Sequence, residues 1–146
     1  MKRYLLPLAL AMIACAEPIV VAETIEIKES PNKNGYYAIA PQTPNAQSTD
    51  SVKSNRYYKN GDPQQEYVST GSVIVSFSVA KSQSEIEAFA AKWKLSNAKQ
   101  INEMFHTWAF NNISSYDDLT LASKIGQEES DISFAKPDFI AKIKTM

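Results

Sequence analysis

A chain of 146 residues with 44% hydrophobic and 21% charged content carries apolar material for one modest globular domain. Its seven prolines and four glycines exclude a collagen-like or low-complexity chain. The formal charge of −1, from 15 basic against 16 acidic side chains, and the scatter of Lys and Arg remove the electrostatic basis for a nucleic-acid module or for attraction to an acidic membrane.

Residues 1–16 read as an export signal. Lys2 and Arg3 form the positive region, Leu5 to Ala14 the apolar region, and Ala14-Cys15-Ala16 a small-residue cleavage site. The apolar run is too short to span a bilayer, which takes about 20 residues. Cys15, the one cysteine, allows a second reading. Met12-Ile13-Ala14-Cys15 satisfies a permissive bacterial lipoprotein signal, with Met12 in place of the usual leucine, and Cys15 would then carry a lipid anchor. The protein is expected to be exported, to the periplasm or beyond, free or lipid-anchored. With no disulfide available, its stability has to come from packing.

Residues 17–70 read as a polar arm or linker. Prolines recur at Pro18, Pro31, Pro41, Pro44 and Pro63, and no helical period lasts more than a turn. The stretch from Ala40 to Asn55 has too few apolar groups to offset its ordering entropy. Tyr36, Tyr37, Tyr57, Tyr58 and Tyr67 leave two readings open: a flexible segment that docks on something, or a small hairpin around Asn60-Gly61 packed on its own domain.

From Gly71 to Met146 the pattern sharpens. Val73, Val75, Phe77 and Val79 alternate with Ser72, Ile74, Ser76 and Ser78, which predicts a strand. Ser82 and Glu85 form a capping box, and Ile86, Phe89, Ala90 and Trp93 mark one face of the helix that follows. Ala98 to Phe105 and Thr107 to Ile113 predict two strands joined tightly at Phe105-His106. Ser114 or Ser115 caps a second helix, with Asp117 and Asp118 near its positive end and Gly126 at its exit. Asp131 to Ala135 gives a last strand before Lys136-Pro137. The order is β-α-β-β-α-β, an α+β ferredoxin-like arrangement with an antiparallel sheet and both helices on one face. The other face must then meet water or a partner, and Ile74, Trp108 or its neighbour Ala109, and the hairpin-tip His106 are expected there.

The inventory for catalysis is thin. His106 is the only histidine and has no companions at metal-ligand spacing, so neither a metal site nor a cofactor is expected. Asp117-Asp118 and Glu128-Glu129 are adjacent pairs whose side chains diverge, and no phosphate-binding glycine motif is present. Asn112-Ile113-Ser114 is a formal glycosylation sequon of little weight beside a bacterial-style signal. The chain is read as a non-enzyme. After Asp138 an amphipathic strand pattern closes the sequence: Phe139, Ala141 and Ile143 on one side, Ile140, Lys142 and Lys144 on the other, then Thr145-Met146.

From VIVSFS (Val73 to Ser78), through the Ser82 to Trp93 helix and KQINEMFHTWAFN, to DISFAKPDFIAKIKTM, the sequence resembles the propeptides of subtilisin-family serine proteases. The resemblance implies a βαββαβ intramolecular chaperone and inhibitor. Ile132 and Phe134 match its last strand, Lys136-Pro137-Asp138 its bend, and Phe139 to Met146 its extended tail. No protease follows, so the chain is similar to the external chaperones that act in trans on secreted subtilisin- or kexin-like proteases. The tail is then implied to lie in the substrate cleft, with either Met146 or Lys144 in the primary pocket; the plainer reading is that it pairs within its own domain or frays in solvent. The alternative is a periplasmic or outer-membrane-tethered lipoprotein binding module with no protease partner.

Overall fold

The computed structural model describes residues 23–41 and 54–142. Among these described residues seven strands and two helices follow in the order β1 (Ile25–Ser30), β2 (Lys33–Ile39), β3 (Arg56–Lys59), β4 (Glu66–Phe77), α1 (Gln83–Trp93), β5 (Leu95–Asn102), β6 (Thr107–Asn112), α2 (Asp118–Glu128) and β7 (Ile132–Ala141). All pairings are antiparallel and run β1-β2-β3-β4-β6-β5, with β7 on the other side of β4.

The expected ferredoxin-like sandwich is corrected. The described residues are 49% strand and 20% helix, and they form a curled antiparallel half-barrel with two helices. Three of its strands come from the stretch read as an arm, and Gly71, the expected start of the domain, lies inside β4. The physical reason is long-range burial. β1 and β2 are short and half polar, so neither would hold alone. Paired, they place Ile25, Ile27, Tyr37 and Ile39 on one face, and β1 lies against β7 and α2.

β4 ties the sheet together. Its first half pairs with β3 and with the end of β7; its second half pairs with β6 and the start of β7. Between Ser69 and Val73 four steps along β4 match two along β7, from Phe139 to Pro137, so β4 bulges there. Gly71 sits in the bulge with φ of 93°, a conformation open to glycine. Pro137, which has no N–H to give, lies beside it within a continuous β7, so the expected break at Lys136-Pro137 is absent.

Val73, Val75, Phe77 and Phe110 point toward the helices and are buried with Ile86, Leu119, Leu121 and Ile125. At the other end of the half-barrel the Phe139 ring stands 4.7 Å from Tyr37, 5.4 Å from Tyr67 and 5.8 Å from Tyr57. Such ring contacts add to area burial, so this cluster closes the N-terminal strands over β7.

Both helices start where short-range chemistry puts them. The Ser82 N–H donates to Glu85 Oε1 at 2.9 Å, and the Glu85 N–H donates to Ser82 Oγ at 3.2 Å, which is the anticipated capping box. For α2 the cap is Asp117, which accepts from the Thr120 N–H at 3.0 Å, and not Ser114 or Ser115. Ser114 is held back by Asn112, whose Oδ1 accepts from both its N–H and its hydroxyl. Gly126 lies within α2, which ends at Glu128.

Candidate partner-binding face

Cross-strand neighbours share a sheet face, so the pairing register assigns the second face of the sheet. Ile74 stands opposite Ala109 and Lys136, and Ser76 opposite Thr107 and Phe134. These side chains lie on the face turned away from α1 and α2. Together with Ile101 and the turn that joins β5 to β6 they bound an open groove of about 740 Å³, whose edge Pro31 of the β1–β2 turn also reaches.

Large apolar side chains stay in solvent here. Met104 is 77% exposed, Phe105 61% and Ile101 48%. The turn that carries them is set locally: the Phe105 N–H donates to Asn102 Oδ1 at 3.1 Å, and His106 takes φ of 51° before the chain re-enters the sheet. The Phe77 N–H donates to His106 O at 3.0 Å, which fixes the turn to the end of β4. The hydroxyls of the groove floor are used internally: Ser76 Oγ donates to Phe105 O at 2.7 Å, and Thr107 Oγ1 donates to the same carbonyl at 3.1 Å.

Of the residues expected at an interface, Ile74 and His106 line this groove. Trp108 does not. It pairs with Val75 and packs against the core from the helix side, and Ala109 holds the outward position. The spacing of Trp108 and Phe110, two apart and both apolar, was the signal for that orientation. Met104 escaped notice because the sequence reading put it inside a strand; Asn102, able to bond the N–H of a turn, was the pointer.

The expected tail divides. Phe139 is a half-buried ring packed against the core, and Ala141 pairs with Tyr67. Ile140 faces outward at 59% exposure, and the Lys142 N–H donates to Glu66 O at 2.9 Å. The start of the tail is therefore part of the protein's own sheet, because Phe139 completes the aromatic cluster. Ile143, Lys144, Thr145 and Met146 lie outside the described residues, as do Cys15, residues 1–16 and most of the Ala40 to Asn55 stretch.

The polar clusters elsewhere serve the fold. Asp118 is buried and accepts from Ser69 Oγ, from the Gly71 N–H at 3.0 Å and from Asn112 Nδ2 at 2.7 Å. Asn112 also donates to Tyr116 O at 2.8 Å, so the sequon amide is built into the interior. Burial first, then the Asp117 carboxylate, push the Tyr57 phenol well above its ordinary range, and it remains a neutral donor to Ser54 O and Asp117 Oδ2. Burial and Glu29 do the same for Tyr37. Among the described residues no group of three or more His, Cys, Asp or Glu could hold a metal ion, and no helix is long and apolar enough to cross a membrane. Neither a family model, nor a curated protein, nor a solved structure matches this chain.

Proposed function

We propose that this chain is an exported chaperone and inhibitor that acts in trans on a secreted subtilisin- or kexin-like serine protease. It grips the enzyme with the outer sheet face and presents the residues after Lys142 to the substrate cleft. The fold that came with the family resemblance is not the one found, so the reading rests on surface chemistry. The observation that carries it is the apolar groove built by Ile74, Ile101, Met104, Phe105 and Phe134. An open apolar groove with a few polar groups is the usual setting of a binding site, which supports this reading.

The course of β7 supports the second half of the reading. It delivers an extended chain, still bonded to β4 at Lys142, and proteases recognise extended segments by strand addition. The ring contacts of Phe139 decide which truncation is informative. Removing Phe139 would dismantle the aromatic cluster, whereas removing Ile143 to Met146 leaves every described contact in place. The shortened chain is expected to bind the protease within a few-fold of the full chain yet to inhibit it at least about tenfold less, a change of about 1.4 kcal/mol. Inhibition constants and surface binding measured together decide this, and equal inhibition by both chains rejects the cleft role. For the chaperone role, Ile74→Asp should lower the yield of active protease on co-expression.

The outer face would equally serve a tethered binding module with no protease partner. Palmitate labelling at Cys15, with no gain in protease yield on co-expression, would favour that second reading.

A further inference from the structure

We infer that the outer groove accepts an apolar segment of a partner polypeptide that carries a carboxylate, and that Lys136 is the group that pairs with it. The partner's identity rests on the protease reading above; the chemistry of the groove does not. Acidic residues outnumber basic ones in the whole chain, yet among the described residues no Asp or Glu lines the groove. Lys136 stands opposite Ile74 on the same face, with Nζ 5.7 Å from the centre of the Phe134 ring. Its ammonium thus lies over an apolar wall of the groove. Among the described residues it makes no ion pair, in contrast to Lys81 and Lys92, which reach Asp131 and Glu129.

Lys136 is the one Lys or Arg among the described lining residues, and two of the groove's hydroxyls are already used. Ser76 and Thr107 give their hydroxyl protons to the turn carbonyl of Phe105. A purely apolar partner would strip water from the Lys136 ammonium without replacing it, and a cationic one would repel it. A carboxylate on an apolar segment satisfies both conditions: its body covers Ile74, Ile101 and Phe134, and its charge meets Lys136.

The test uses the full chain and three capped amphipathic peptides that differ only in a central Glu, Gln or Lys, titrated while the amide NMR signals of Ile74, Phe134 and Lys136 are followed. The Glu peptide is expected to bind about threefold to fivefold more tightly than the Gln peptide, as for a partly exposed ion pair, with the Lys peptide weakest. The preference should shrink at high salt, vanish in Lys136→Gln and invert in Lys136→Glu. Equal affinities for the Glu and Gln peptides, shifts confined to other residues, or no binding of any peptide would overturn the inference. Its failure is separable from that of the protease reading. A chain that takes the Glu peptide in this groove but neither inhibits nor assists a protease loses the function and keeps the site. A chain whose protease inhibition and salt dependence are unchanged by both Lys136 variants keeps the function and loses the site.

Discussion

Hydrogen bonds from Ser69, Gly71 and Asn112 converge on the Asp118 carboxylate where β4 changes direction. The carboxylate accepts from the backbone of the bulge, from a β4 side chain and from β6 at once, so it holds the bend that lets one strand serve two halves of the sheet. Asp118→Asn turns an amide NH₂ toward donors and should lower stability by about 2–3 kcal/mol, read as a shift in the urea midpoint. Gly71→Ala tests the same bend differently. A Cβ there would meet nothing within 4 Å, so the cost is backbone strain at φ of 93°, about 1–3 kcal/mol. Gly35 is the opposite case: its Cβ would come within 2.8 Å of Glu29 Oε1, the acceptor of the Tyr37 hydroxyl.

At the scale of elements, α1 is tied to the start of β7 by the Lys81–Asp131 ion pair. The Lys81 hydrogen bond, foremost, holds the Asp131 carboxyl below its ordinary range, and Asp131 in turn raises Lys81. For the depressed carboxyl the stabilisation is complete above the unfolded value of about 3.9 and is lost as pH falls through the folded value. For the raised ammonium it is complete below about 10.4 and is lost as pH rises through the folded value. Urea midpoints measured from pH 6 down to pH 3 should therefore fall less steeply in Asp131→Asn than in the natural chain. Glu85, also depressed, chiefly by the Ser82 backbone N–H it accepts from, adds to the same acid slope.

α1 was legible because its information is local: a cap, a partner three residues on, and an apolar stripe at helical spacing. The start of α2 was misplaced because Ser114 and Asp117 are equally good caps in isolation, and only the buried Asn112 decides between them. For β7 the proline was misleading. A bulge in a strand more than 60 residues earlier in the chain is what lets Pro137 stay in register, and no window around Pro137 contains it.

For the molecule as a whole, the decisive contacts join segments far apart in sequence. The tilted rings of Tyr37 and Phe139 meet, and Ser123 Oγ donates to Glu26 O at 2.8 Å, so the first strands and the last elements are expected to unfold together. Of the two readings of residues 17–70, the hairpin around Asn60-Gly61 is what β3 and β4 form, whereas β1 and β2 were read as arm because their partners are invisible from one end of the chain. Residues 71–146 alone, which cut β4 in two, are accordingly expected to show no cooperative unfolding by circular dichroism, whereas residues 23–146 should unfold in one transition. An uncovered sheet face was expected, though of a ferredoxin-like fold that is not the one found. The groove was not, because that depends on a turn whose shape Asn102 and His106 set together.

The bent β4 has one further consequence, for motion. It is paired on both sides at Tyr67 and Val68 before the bulge and from Val73 to Ser76 after it, so neither half of the sheet can open without breaking its ladder. Its amides should be the slowest to exchange with deuterium, approaching the rate of global unfolding, while those of β5, at the sheet margin, exchange through small fluctuations. An occupant pressed against Ile74 would then slow exchange as far away as Tyr67, giving a remote signature of binding.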